Sequence, residues 1–343
     1  MQLINNLTNQ FSLVEEHVQH TYESVFASGA ATIVIYKDEI VLEKYWGTQS
    51  TRTNSRNIQA DTQFHVASVR KSYIGFAVAY AVHHGYIASI DDEVTKYIAN
   101  LEEEIFRGTT IRHLLTHTHG LTEQDGKIVR EFLSGESWAY RQINIKLLAE
   151  LVKITTGQTV ADLLTEQVFQ PLQLNETGWY TEIGPKIAEV ISETGQPKKV
   201  ATSSAEGDQI NMFISARNLA YWGYLHLKLG FIDGEQVIPK EIIQLSTSLI
   251  SPSTIDKDLP QHGFLWFVKD LQAKKTEIGE MVPCGSYQIL GFTGVAVLVI
   301  PDHDIVAVRM VNSYGSPENH DFLADIRSFG DSVMNSLYGV NNK

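Results

Sequence analysis

The chain has 343 residues, 43% of them apolar, which suffices for one large globular domain or two smaller ones with buried cores. Its 27 basic and 40 acidic residues give a net charge of −13, which disfavours nucleic acid and anionic membrane surfaces as partners. The single cysteine, Cys284, excludes an internal disulfide, and we expect it to be structural.

The chain shows no targeting or membrane segment. Its first residues lack a basic stretch followed by an apolar run, and nowhere do 18 apolar residues follow one another. We therefore expect a soluble cytoplasmic protein with no membrane partner, although a chain whose leader has been removed would look the same.

The N-terminal part of the chain predicts one helix and then a β-hairpin. Residues 8–27 carry apolar residues at helical spacing. Residues 31–36 and 40–46 are two apolar strands joined by a short polar link at 37–39. The polar stretch 47–63 predicts a loop.

The rest of the chain is first mainly helical and then mixed. Apolar periodicity, with glycine or proline at the ends, predicts helices over 74–82, 110–117, 143–156, 160–168 (ending before Pro171), 215–229, 239–249 and 322–337. Short apolar runs predict strands over 263–268, 287–290, 295–300 and 305–311.

This order predicts an α/β fold with a separate helical part. We expect residues 1–66 and 206–343 to form a mainly antiparallel sheet flanked by the terminal helices. We expect residues 67–205 to form a mainly helical domain inserted between them. A cleft between two such domains is a natural position for an active site.

Ser68 and Lys71 form the one candidate catalytic pair at the start of a helix. Lys71 follows Ser68 at position i+3, so the two share one helical face. A serine hydroxyl needs an adjacent base, and lysine can serve when burial or another cation lowers its pKa. The alternative is that Ser68 caps the helix and Lys71 is a solvated surface residue.

Metal and cofactor motifs are not evident. His117 and His119 lie two residues apart, so they do not share a helical face, and no third ligand stands at metal-site spacing. Residues 302–304 predict a turn, and no glycine pattern for phosphate or dinucleotide binding occurs. We therefore expect neither a metal nor a cofactor.

Several segments, in order along the chain, resemble the serine β-lactamase and penicillin-binding-protein superfamily, in the branch with class C β-lactamases, DD-peptidases and esterases. Ser68-Val69-Arg70-Lys71 is similar to the first family motif, Ser-x-x-Lys. The other similar segments are 85–97, 111–121, 169–174 and 216–220. The resemblance implies a β-lactamase/transpeptidase-like fold with an acyl-enzyme on Ser68.

The resemblance also implies the remaining site residues. Tyr140 stands where the family has the tyrosine of Tyr-x-Asn, the proton relay. Gln142 replaces the asparagine of that motif, and Asn144 is a possible substitute for it. At the third motif the resemblance implies Phe292, Thr293 and Gly294. It also implies the backbone amides of Ser68 and Val295 as donors of the oxyanion hole.

The third motif departs from the family because Phe292 replaces its lysine or histidine. A lost charge-assisted hydrogen bond costs about 1.5–3 kcal/mol, so a substrate carboxylate is disfavoured and a neutral ester or amide is favoured. Arg309 is one possible replacement cation, although pairing with a carboxylate or a place at an exposed edge is the simpler expectation.

Three functions remain open on the sequence. The favoured one is an esterase- or amidase-type serine hydrolase, and the second is a β-lactamase or DD-peptidase. The third is a catalytically weak module that binds or senses acyl compounds, which the departures at Phe292 and Gln142 motivate. A small-molecule ester, amide or lactam is the expected partner, and the oligomeric state is left open.

Overall fold

The structure is a computed structural model that describes residues 3–200 and 203–339. No helix in these ranges is both long enough and apolar enough to cross a bilayer. The helices are α1 (Ser12–Ser24), α2 (Arg70–His83), α3 (Glu103–Phe106), α4 (Ile111–Leu115), α5 (Ile143–Thr156), α6 (Val160–Leu164), α7 (Gln170–Leu172), α8 (Ala216–Leu227), α9 (Lys240–Thr247) and α10 (Phe322–Tyr338).

The strands follow the same numbering in chain order. They are β1 (Ile4–Asn5), β2 (Gly29–Tyr36), β3 (Glu39–Gly47), β4 (Gln63–His65), β5 (Leu121–Gln124), β6 (Lys127–Arg130), β7 (Thr177–Trp179), β8 (Val190–Ile191), β9 (Pro197–Lys198), β10 (Met212–Ser215), β11 (Phe231–Ile232), β12 (Glu235–Gln236), β13 (Phe267–Lys269), β14 (Ser286–Gly291), β15 (Val295–Ile300) and β16 (Ile305–Val311).

A large sheet built from both ends of the chain organises the described residues. Its seven strands there run in the spatial order β1-β3-β2-β16-β15-β14-β13, and all its pairings except β1–β3 are antiparallel. The β2–β3 hairpin turns through Lys37 and Asp38, whose φ angles of 49° and 69° fit a type I′ turn. A smaller sheet has the order β4-β10-β7, and the chain runs from its strand β4 into α2.

Helices cover both faces of the large sheet. On one face α1 and α10 bury Val14, Val18 and Phe329 against the strands. On the other face α8 lies against β15, β16 and β2, where a Cβ at Gly223 would come within 2.5 Å of Val306 Cγ1. The predicted fold class, a mainly antiparallel sheet with flanking helices and a helical part, is confirmed; the domain boundaries stay a prediction.

The predicted strand over 263–268 is wrong in its first four residues, because β13 begins only at Phe267. The preceding segment bridges two helices instead of pairing with a strand. The amide of Phe264 donates to Ser246 O at 2.8 Å and that of Leu265 to Leu115 O at 3.1 Å. These contacts come from distant parts of the chain, so the apolar run alone gives no sign of them.

Two further differences lie in the predicted helical part. The helix predicted to end before Pro171 continues through a π-helical turn, Thr165–Phe169, into α7, and the chain leaves the helix at Gln173 with φ 57°. The wider π turn tolerates the missing proline N–H. Strands β5 and β6 form an unpredicted hairpin around Asp125 and Gly126, an Asp-Gly pair that is a typical two-residue hairpin signal.

Candidate active site

Ser68 lies in a tight turn between β4 and α2. The turn is a single 3₁₀ turn over Ala67–Val69, and Ala67 has a φ of 46°, a strained value for a residue with a Cβ. Only 8% of the Ser68 surface is exposed. The strained turn places the hydroxyl at the N-terminal end of α2, where the helix dipole favours developing negative charge.

Lys71 is completely buried one helical turn beyond Ser68. Its Nζ has no hydrogen-bond partner among the described residues, and it lies 3.6 Å from the centre of the Tyr140 ring. Burial, together with the positive charge of Arg70, lowers the pKa of Lys71 well below its ordinary value. The lysine is therefore suited to act as an uncharged amine.

Tyr140 meets both residues of this pair. Its phenol interacts with the Ser68 side chain, and its ring lies under the Lys71 Nζ. Burial raises the pKa of Tyr140 to about 12. The hydrogen bond with Ser68 and the charge of Arg70 reduce this effect, and the charge of Glu277 increases it. The structure thus brings Ser68, Lys71 and Tyr140 together, with the tyrosine as a neutral phenol at rest.

Histidine and tryptophan side chains form the wall behind Tyr140. The His117 ring stacks on Tyr140 with 4.6 Å between ring centres, and its Nδ1 lies 3.2 Å from the Asn144 amide nitrogen. Trp138 Nε1 donates to His262 Nε2 at 2.9 Å. From the sequence, His117 was a candidate only as a metal ligand, and no pattern pointed to Trp138 or His262. No motif or spacing would have identified them, because their contacts arise from packing.

Of the two amide side chains predicted beside Tyr140, the structure places only one inside the protein. Asn144 is fully buried, and its amide nitrogen donates to Leu114 O at 2.8 Å as well as approaching His117. Gln142 is exposed at the start of α5, and its side chain makes no cap there. Asn144 therefore contacts the His117 ring that stacks on Tyr140, whereas Gln142 faces solvent.

The predicted third motif is a hairpin turn between β14 and β15. Gly294, with φ 86°, donates its amide to Gly291 O at 3.0 Å, and Thr293 Oγ1 donates to His65 O at 2.8 Å. A Cβ at Gly291 would come within 2.3 Å of Val66 O, so only glycine allows this approach to the Ser68 turn. Val295 opens β15, pairs with Gly291 and is fully buried.

Phe292 and Arg309 both contact neighbours of this hairpin turn rather than Ser68. The partly buried Phe292 ring packs edge-on against Tyr314, with 4.8 Å between ring centres. Arg309 is fully buried and pairs with Asp325 at 2.6 Å, while its Nε donates to Gly294 O at 3.2 Å. The simpler expectation for Arg309, pairing with a carboxylate, is confirmed.

Two secondary expectations have different outcomes. Cys284 is exposed, so its side chain is not packed in the core and the expected structural role is not supported. Residues 301–304 turn through a short 3₁₀ segment, Pro301–His303, into Asp304 with φ 57°, as predicted. Within the described ranges, no group of three or more histidine, cysteine or acidic side chains is arranged to hold a metal ion.

Comparison with known proteins gives one family. The β-lactamase family model matches residues 14–328. An uncharacterized protein of Alkalihalophilus pseudofirmus is 55% identical over 98% of this chain and 99% of its own length. A D-aminopeptidase of Brucella anthropi is 26% identical over 62% of this chain and 42% of its own, and esterase EstB of Burkholderia gladioli 28% over 50% and 52%. The chain thus spans about half or less of those two relatives. It belongs to the β-lactamase family.

Proposed function

We propose that the chain is a serine hydrolase that forms an acyl-enzyme on Ser68 and acts on a small ester or amide. One observation carries the proposal: Lys71 is buried one turn from Ser68 and lies against Tyr140, with no counter-ion among the residues that the structure describes. A solvated lysine is protonated at neutral pH and cannot accept a proton, whereas burial beside Arg70 favours the free amine. The site therefore contains the base that a serine nucleophile needs.

In acylation, Ser68 Oγ attacks the carbonyl carbon of the substrate while its proton passes to the Lys71–Tyr140 pair. The new Oγ–C bond moves the carbonyl electrons onto oxygen. When this intermediate collapses, the bond to the leaving group breaks and the pair returns the proton to the leaving atom. The amine lies 3.6 Å from the centre of the phenol ring, so the two groups can share the transferred proton.

Deacylation repeats these steps with water as the nucleophile. The Lys71–Tyr140 pair takes a proton from the attacking water and gives one back to Ser68 Oγ as the acyl bond breaks. General acid–base help of this kind contributes about 10²–10⁴-fold to such steps. The raised pKa of Tyr140 keeps it a proton donor at rest, and the lowered pKa of Lys71 keeps it an acceptor.

Two backbone amides stabilise the oxyanion in this mechanism. The first is the amide of Ser68 itself, and the resemblance to the superfamily gives Val295 as the second. Phe292 is a rival candidate, since its amide directly follows Gly291, whose backbone approaches the Ser68 turn. Among the described residues, the Phe292 amide donates to no backbone oxygen, so it is free for a substrate oxygen.

The cations near the site support a substrate without a carboxylate beside the scissile bond. Phe292 is apolar at the position where the family carries a cation, and Arg309 is already paired with Asp325. Arg70 is 5% exposed and directs Nη1 to Ala67 O at 3.3 Å. Neither Arg309 nor Arg70 is therefore free to pair with the carboxylate of a β-lactam or a D-alanyl peptide.

A paired turnover assay tests the proposal. The protein and its Ser68→Ala variant are given 4-nitrophenyl butyrate and a chromogenic cephalosporin, and covalent labelling by a serine-directed acylating probe is followed by mass spectrometry. Ser72→Ala is the matched control, because Ser72 lies on the same helix but bonds Trp222 inside the core. We expect ester turnover and labelling that depend on Ser68 alone, with little cephalosporin turnover.

Other results point to the remaining functions. Labelling that persists in the Ser68→Ala variant would exclude Ser68 as the nucleophile. Fast cephalosporin turnover would instead identify a β-lactamase. Stoichiometric acylation of Ser68 without steady turnover would identify a module that binds or senses acyl compounds.

A further inference from the structure

Two buried oxygen atoms, on Glu277 and Gln288, lack a hydrogen-bond donor among the described residues. Glu277, in the segment between β13 and β14, has a buried Oε2 without a partner. Gln288, in the middle of β14, is completely buried, and its Oε1 likewise has none. The two residues are in contact, because Gln288 Nε2 donates to the Glu277 backbone oxygen at 2.6 Å.

These oxygens lie on the Tyr140 side of β14. Gln288 pairs directly with Phe267 across the β13–β14 ladder, and directly opposed residues point their side chains to the same face. The Phe267 ring is nearly parallel to that of Tyr140, with 6.5 Å between ring centres, and Trp138 lies 6.2 Å from Tyr140. The charge of Glu277 also acts on the Tyr140 phenol.

No cation within the described residues neutralises this carboxyl group. Arg327 on α10 acts on Glu277 through its charge, yet the two form no ion pair. Burial raises the pKa of Glu277, as expected for a carboxyl without a partner. Buried acceptors without donors are costly, so a ligand that supplies donors and positive charge would stabilise these oxygens.

The chemistry of this niche, formed by Glu277 and Gln288 beside Phe267 and Tyr140, selects the ligand. Both free atoms only accept hydrogen bonds, whereas a primary ammonium only donates them, through three N–H groups. Aromatic faces next to such a site add attraction for a cation. A carboxylate or phosphate ligand would meet repulsion from Glu277.

We propose that the Glu277–Gln288 niche binds a protonated primary amine, so that the substrate is an ester or amide carrying an ammonium group near the scissile bond. The substrate assignment rests on the hydrolase function proposed above, whereas ammonium binding itself does not. The proposal replaces the neutral substrate that Phe292 alone suggested. The niche adjoins Tyr140, so a bound amine would sit close to the proton relay.

Isothermal titration calorimetry with n-butylammonium, and with butan-1-ol as its neutral counterpart, tests the niche without requiring turnover. We expect the ammonium to bind the unmodified protein about 10- to 100-fold more tightly than the alcohol, the range of one charge-assisted hydrogen bond. Glu277→Gln should remove this preference. Glu280→Gln should keep it, because it removes one negative charge from the same segment at an exposed side chain.

Equal binding of the two ligands, no binding of either, or an ammonium preference that survives Glu277→Gln would overturn the proposal. Circular dichroism checks that each variant folds, and Gln288→Met serves as a second variant that should weaken ammonium binding if Glu277→Gln does not fold. The Ser68→Ala variant should retain the ammonium preference. A protein that binds the amine but hydrolyses neither esters nor amides, and is not acylated at Ser68, would refute the hydrolase function and leave the niche intact.

Discussion

The buried cations of the site differ in whether a carboxylate accompanies them. Arg309 is buried against Asp325, and that ion pair keeps both groups charged. Lys71 and Arg70 are buried side by side, and no described acidic residue forms an ion pair with either of them. Burial lowers the pKa of Arg70 only to about 10, so it stays charged at neutral pH. Lys71 is then the group that gives up its proton, because two adjacent buried charges are costly.

This reasoning predicts a pH effect of Arg70→Gln. Without the guanidinium the ammonium form of Lys71 becomes more favourable, so the pKa of Lys71 should rise. At an effective dielectric constant of about 20, we expect the charges of Arg70 and Lys71 to repel each other by about 1–2 kcal/mol. This repulsion corresponds to a shift of the Lys71 pKa on the order of one pH unit. The acidic limb of kcat/KM against pH for a nitrophenyl ester should move to higher pH by that amount.

Two variants distinguish charge from packing at this position. Arg70→Lys keeps the positive charge and should leave the acidic limb close to its original pH. Arg52→Gln removes an exposed guanidinium that pairs with Glu189 and should have no effect on the limb. An acidic limb that stays in place in Arg70→Gln would show that Lys71 is not the group whose ionisation limits activity.

Helices and strands whose apolar residues repeat with one clear period were predictable from the sequence. Helices α2 and α5 and strands β2, β3, β15 and β16 occur where the apolar patterns predicted them. In the site, the Ser-x-x-Lys spacing and the resemblance gave Ser68, Lys71 and Tyr140, which the structure brings together. Motifs carry such information because the reacting groups must keep a fixed spacing along the chain or within a short segment.

The surroundings of the site were not predictable in this way. Gln288 lies opposite Phe267 only because β13 and β14 pair in one particular register. His262 reaches Phe267 through an isolated bridge between these two residues. Glu277 stands in an irregular segment that has no periodicity to interpret. The hairpin around Asp125 was recognisable from its Asp-Gly pair, whereas contacts between distant segments leave no local signal.

The close approach of the β14–β15 hairpin to the Ser68 turn predicts the effect of Gly291→Ala. The added methyl would come within 2.3 Å of Val66 O, so the hairpin must move away from the nucleophile. Such overpacking costs about 1–3 kcal/mol of unfolding free energy. It should also displace the amides proposed for the oxyanion hole, and the loss of one such donor lowers kcat by about 10²–10³-fold.

Urea unfolding and ester turnover of the same preparation measure both effects of Gly291→Ala. Gly184→Ala is the matched control, because a Cβ at Gly184 meets no atom within 4 Å and its φ lies outside the left-handed region. If Gly291→Ala behaves like Gly184→Ala in both assays, the tight contact between hairpin and nucleophile turn does not constrain catalysis.

At the scale of the whole molecule, the protein buries several histidines as neutral rings. Burial lowers the pKa of each below the ordinary histidine value of 6.5. The values are about 4 for His17, His65 and His226, and about 3 for His119 and His262. For His17 the charge of Arg309 adds to the effect of burial. The unfolded chain binds protons on these five rings near pH 6, whereas the folded chain does not.

The free energy of unfolding should therefore fall as the pH drops from about 6.5 towards 4. It should fall more steeply there than between pH 8.5 and 7.5, where of these buried groups only Lys71 is protonated in the unfolded chain and not in the folded one. Each of these histidines adds up to about 1.4 kcal/mol per pH unit to the slope, because only the unfolded state takes up its proton in this window. Urea unfolding at pH 8, 6.5, 5.5 and 4.5 measures the slope.

Two variants test the origin of the slope. In His226→Gln the slope should decrease by the contribution of one histidine, whatever the substitution does to the free energy of unfolding at pH 8. His83→Gln, at an exposed site, should leave the slope unchanged. A free energy of unfolding that stays constant between pH 6.5 and 4.5 would mean that the buried rings are protonated inside the fold. His262, whose pKa the charge of Lys71 also lowers, would then be charged as well.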